Sequence, residues 1–120
     1  MQVKWIEHKG KKILYSDFSG MKTNELLFST LDEAVSQFIT AQDKVRHLLD
    51  FTNASLTTDF MNKAKEEGKK LPQGKSEKDA YLGITGVKKV LLNGYLWVTK
   101  EPAQVFEDKE KALDWLAEDK

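Results

Sequence analysis

The chain has 120 residues, with 19 Lys+Arg against 19 Asp+Glu and no Cys. Zero formal charge argues against a dedicated nucleic-acid binder, which carries a basic excess, and the lack of thiols excludes disulfide frameworks, zinc–thiolate and iron–sulfur sites, and thiol catalysis. At 40% hydrophobic and 32% charged residues the composition is that of a folded globular chain, expected as one domain over residues 1–120.

Val3 to Glu7 alternates apolar and polar residues, and His8, Lys9, Gly10 and Lys11 turn it into a second run, Ile13 to Phe18. Two such runs around a glycine-containing turn predict a hairpin. Over residues 23–42, Leu27, Leu31, Ala34, Val35, Phe38 and Ile39 recur at spacings of three and four, an amphipathic helix. Arg46 to Phe51 is a short apolar run that fits a buried parallel strand. A second helix is expected from Thr57 or Thr58, both competent caps, to just before Pro72. Ala80 to Ile84 predicts a strand, residues 87–99 a helix, and Ala103 to Phe106 a last strand. Asp108 then caps a helix carrying Ala112, Leu113, Trp115 and Leu116. The order ββαβαβαβα predicts an α/β fold: a mostly parallel sheet with an antiparallel edge strand and helices packed on it. No apolar run nears the roughly 20 residues of a membrane span, and the first residues are too charged for a secretory signal. A cytoplasmic protein is the expectation.

Four stretches carry a resemblance. The run from His8 to Gly20 (HKGKKILYSDFSG), Leu48 to Thr52 (LLDFT), Lys78 to Gly86 (KDAYLGITG) and Phe106 to Leu116 (FEDKEKALDWL) resemble, in this order, the SpoIIAA-like family. That resemblance implies a STAS-type fold, similar also to the CRAL-TRIO lipid-binding fold. It implies little about activity, since many members have no assigned biochemical role. The family's namesake is switched by phosphorylation of a Ser at the start of the helix after its third strand, in an Asp-Ser-Ser/Thr-Gly-Leu motif. Here the stretch from Thr52 to Asp59 reads TNASLTTD and lacks that motif. Ser55, Thr57 and Thr58 stand where the resemblance places a phospho-acceptor or anion site, or else they are ordinary helix caps, the reading that Thr-Thr-Asp favours by itself.

Other candidates come from the residues themselves. Asp17 and Asp50 fall at the C-terminal ends of the second and third strands, where ligands bind in open α/β sheets. They form a candidate polar site, or else they cap turns by accepting nearby backbone N–H groups. Lys88 and Lys89 open the third helix, where cations oppose the helix dipole. At about 100° per residue, Val87, Val90, Leu91, Gly94 and Val98 make the core face of that helix, and Tyr95 and Trp97 flank it. Leu92 and Leu96 then point away, as a contact surface or ligand lid beside Trp97, Lys88 and Lys89, or else under the cover of a neighbouring helix or loop. No metal site is expected: His8 and His47 have no ligand-spaced partners. No nucleophile elbow is present, and no cofactor is implied. The expectation is a non-enzymatic regulatory or protein-interaction module with a protein partner or a second copy of itself. The alternative is a carrier or sensor of a small apolar or lipid-like ligand with peripheral membrane contact. An enzyme using Asp17 and Asp50 is the weakest of the three.

Overall fold

The computed structural model describes residues 2–72, 74–99 and 102–119, with the backbone alone at 97–99. Lys9 and Gly10 both take positive φ, 51° and 81°. That is the two-residue turn whose twist matches paired strands. It joins β1 (Val3–His8) antiparallel to β2 (Lys11–Asp17), with His8 opposite Lys11 and Val3 opposite Ser16. β3 (Val45–Asp50), β4 (Ser76–Leu82) and β5 (Ala103–Phe106) continue the sheet in parallel, in the spatial order β1-β2-β3-β4-β5. This is the α/β architecture expected, with the antiparallel pair at one edge.

Strand alternation sorts the core into two layers. Leu49, Tyr81 and the strand-end residue Phe51 lie under α1 (Asn24–Thr40), α2 (Thr58–Gly68) and α3 (Val87–Thr99). Leu14 and Val45 meet Ala34 and Phe38 of α1 on the same face. The residues of opposite parity, Ile13, Leu48, Ala80 and Leu82, pack on Ala112, Leu113 and Leu116 of α4 (Lys109–Ala117). Helix entries use the predicted caps: Thr57 Oγ1 accepts from the Phe60 N–H at 3.0 Å, and Asp108 Oδ1 from the Glu110 N–H at 3.0 Å.

Two cations hold the far end of α4. Arg46 and Lys78 are register partners on β3 and β4. Lys78 Nζ donates to the carbonyls of Trp115 at 2.7 Å and Glu118 at 3.1 Å, and Arg46 donates to those of Leu116 and Glu118. Positive charge at a helix C-terminus satisfies carbonyls that have no partner within the helix. Burial first, and then the charge of Arg46, hold Lys78 below the usual lysine value.

Two expectations are corrected. β4 begins at Ser76 and ends at Leu82, earlier at both ends than the predicted 80–84. Gly83 cannot extend it, because it turns at φ +74° so close to β3 that a Cβ would lie 2.3 Å from the Thr52 nitrogen. Lys78 and Asp79, polar enough to suggest a loop, are both buried in the strand.

The inward face of α3 is also turned from the one expected: Leu91 packs against the core as predicted, but Val87 and Val90 do not. Leu92 is 1% exposed and Tyr95 is buried, while Val87 and Val90 are 76% and 72% exposed. Leu96 is partly buried against the same core. The helix is apolar on most sides, so periodicity alone does not choose a face. Area does: with Leu91 at the edge of the core, turning Leu92, Tyr95 and Leu96 inward buries more apolar surface than turning in Val87, Val90 and Gly94. Lys88 joins this stripe and donates its Nζ to the Phe51 carbonyl at 3.1 Å. The side chains of Trp97 and Val98 lie outside the described residues.

Candidate functional site

The strand-end carboxylates are used locally. Asp17 Oδ1 accepts from the Ser19 N–H at 3.0 Å and its hydroxyl at 2.6 Å. Asp50 Oδ1 accepts from the Thr52 N–H at 3.0 Å and its hydroxyl at 2.6 Å. The same Asp-Phe-Ser/Thr unit thus closes two adjacent strands, and its phenylalanines, Phe18 and Phe51, stack with centroids 4.6 Å apart. Tyr15, on β2, has its pKa pushed up to about 12, chiefly by burial and then by the negative charges of Asp17 and Asp50.

At the start of α2, Thr57 is engaged on both sides of its hydroxyl, donating to Asn24 Oδ1 at 2.7 Å while it caps the helix. Ser55 is half-buried in the preceding loop, its N–H donating to the Met21 carbonyl at 2.8 Å, and Thr58 is exposed. Lys89 is exposed on α3, whereas Lys88 is turned to Phe51. Asp17 and Asp50 are register partners on β2 and β3, and Lys88 reaches the residue after Asp50, but none of these candidates lines the molecule's apolar cavity.

The hollow lies elsewhere. Between the sheet and helices α1, α2 and α3 is a cavity of about 100 Å³. Leu31, Ala34 and Phe38 of α1, Phe60, Met61 and Ala64 of α2, Leu92 and Tyr95 of α3, and Leu49, Phe51 and Tyr81 from the sheet side all wall it. Its wall is mostly apolar, and its polar residues include His47 and Asp79 from neighbouring strands.

Those two belong to a buried polar row that crosses the centre of the sheet. Ser16 Oγ lies 2.7 Å from His47 Nε2, and His47 Nδ1 lies 4.0 Å from Asp79 Oδ1. Asp79 Oδ1 accepts from the Ser76 hydroxyl at 2.8 Å. Burial pushes the His47 imidazole down to about 3, and the Phe38 ring stands edge-on to it at 5.1 Å. The imidazole is therefore neutral at physiological pH, despite a carboxylate at the outer limit of ion pairing.

These are the residue types of a nucleophilic triad, arranged in order. Ser16, however, is fully buried and does not line the cavity; a molecule there meets His47, Asp79 and Ser76, whose hydroxyl donates to Asp79. Sequence reasoning missed this row. The signal was parity: His47 alternates with Val45 and Leu49, and Ser16 with Leu14 and Phe18, so both had to point into the core. Asp79 escaped because the predicted strand began one residue after it.

A second cluster sits on the opposite side. His8, Glu110 and Asp114 bring ligand atoms within 4.8 Å of one another. Asp114 already takes His8 Nε2 at 2.8 Å and Lys9 Nζ at 3.0 Å, so a lysine occupies the place that a metal ion would contest. Among the described residues no helix is long and apolar enough to cross a membrane.

No family model matches the chain, and no curated protein does. Among solved structures it is similar to an uncharacterized protein of the DUF3478 family, with a SpoIIAA-like fold, from Shewanella loihica PV-4. The TM-score is 0.71 at 19% identity, over 96% of this chain and 92% of that one. At that identity the likeness speaks for architecture, and it agrees with the sheet order and helix layers described above: the chain has a SpoIIAA-like fold.

Proposed function

We propose that the chain is a non-enzymatic binding module that holds a small, largely apolar ligand between its sheet and the α1–α3 layer. The observation that carries this reading is the cavity of about 100 Å³, walled mainly by aliphatic and aromatic side chains with a few polar groups at one side. Ligand sites have that make-up. The volume is comparable to an engineered cavity of about 150 Å³ that takes up benzene. It suits a molecule of about one ring and is too small for a long acyl chain. Toluene at saturation should raise the melting temperature by several degrees, because a ligand that binds only the folded state stabilises it. In Ala64→Phe, whose new ring fills the space, that rise should vanish. An equal rise in both proteins, or none in either, would contradict the reading.

A second reading keeps the interaction module but moves it. Val87 and Val90, one turn apart and exposed on α3, replace Leu92 and Leu96 as its contact residues. If a second copy covers them, Val87→Lys with Val90→Lys should convert a dimer to a monomer in light scattering. A wild-type chain that is already monomeric would refute self-association.

A further inference from the structure

We infer that a divalent transition ion of the zinc type binds where the end of β1 meets α4, held by His8 Nε2 and the carboxylates of Glu110 and Asp114. Among the described residues this is the one group whose three ligand atoms all lie within 4.8 Å of one another. Sequence spacing hides it, because His8 and Asp114 are 106 residues apart.

Two packed elements hold the three side chains. His8 is the last residue of β1, opposite Lys11 across the turn. It shares a strand face with Ile6, which packs against the α4 side of the core. Glu110 and Asp114, one turn apart on α4, share a face of that helix, and Ala112, Leu113 and Leu116 anchor it to the sheet. A four-coordinate zinc keeps its ligand atoms about 3.3 Å apart, at bonds of about 2.0–2.1 Å. His8 Nε2 and Asp114 Oδ1 already stand 2.8 Å apart, so side-chain movements of about 1.5 Å or less complete the set. One nitrogen and two carboxylates fall short of the oxygen cage that calcium takes. They suit zinc, with a fourth position left to water.

Two competitors leave when the ion enters. Lys9 Nζ lies 3.0 Å from Asp114 Oδ1, but its side chain is 64% exposed, and exposed ion pairs contribute little. The other competitor is the proton between His8 and Asp114. An ionised carboxylate only accepts, so Nε2 carries that proton. A neutral ring moves it to Nδ1, and a protonated ring releases it to water; either way the Nε2 lone pair is freed for the ion.

The test is zinc chloride titrated into the full chain, read by calorimetry and by the imidazole proton spectrum, which holds only two histidines. One equivalent should bind, moving the His8 ring signals and leaving those of buried His47 in place. Magnesium chloride at the same concentrations should move neither. His8→Ala should weaken zinc by about tenfold or more. Lys9→Asn suits the positive φ of that turn position and removes the competing cation, so it should tighten zinc by about two- to fivefold. Zinc that leaves the His8 signals unmoved, binds His8→Ala undiminished, gains nothing from Lys9→Asn or is matched by magnesium would overturn the inference. The wild-type spectrum does so without recourse to any variant's folding.

Discussion

His47 shows how one residue can be plain in the sequence and yet hidden in its role. A histidine within an apolar strand reads as either surface or core, and only its alternation with Val45 and Leu49 turns it inward. Once there, it is held neutral, with its pKa at about 3 against an ordinary value near 6.5. Between those values the unfolded chain takes up a proton that the folded chain refuses. Stability is therefore complete above about pH 6.5 and is lost as the pH falls below it, by up to about 1.4 kcal/mol per pH unit. Urea unfolding at pH 7 and pH 5 should show about 2 kcal/mol of this loss, over and above what the carboxylates contribute. In His47→Gln the difference between the two pH values should shrink by about that amount. An unchanged difference would mean that the imidazole is not buried neutral. Asp17 and Asp50, by contrast, were legible as strand-end residues and as turn caps, because an Asp two residues before a Ser or Thr is a local signal.

At the scale of elements, α3 marks the limit of pattern reading. Its length and start were legible, but its inward face was not, because leucines and valines share nearly every side. The decision belongs to the amount of surface that neighbouring elements can cover, which a periodicity does not contain. The observed facing makes a contrast between two residues of similar chemistry. Leu92→Ala should cost about 2–5 kcal/mol, as buried leucines do, whereas Val90→Ala should change stability by about 0.5 kcal/mol or less. Thermal denaturation of the two variants side by side checks this, and the reverse order would return α3 to the facing expected from the sequence. The helix caps behave differently: Thr57 and Asp108 were legible because capping depends on three or four consecutive residues and on nothing distant.

For the molecule as a whole, the order of elements and the antiparallel edge followed from strand–helix alternation and the Lys9–Gly10 turn, and the structural likeness agrees with both. The cavity was beyond reach of that reasoning. It is the volume left where three helices meet one sheet face, so it depends on how side chains such as Ala34, Ala64, Leu92 and Tyr81 fail to fill a shared space. Small residues on two facing helices are compatible with tight packing as much as with a hollow. Whether this hollow receives a small apolar molecule can be read by titrating methyl-labelled protein with toluene and following carbon–proton spectra. The methyls of Leu31, Leu49, Met61 and Leu92 should shift and saturate, with those of Val87 and Leu113 unmoved. Shifts that grow linearly without saturation, or that fall on the exposed valines instead, would contradict it.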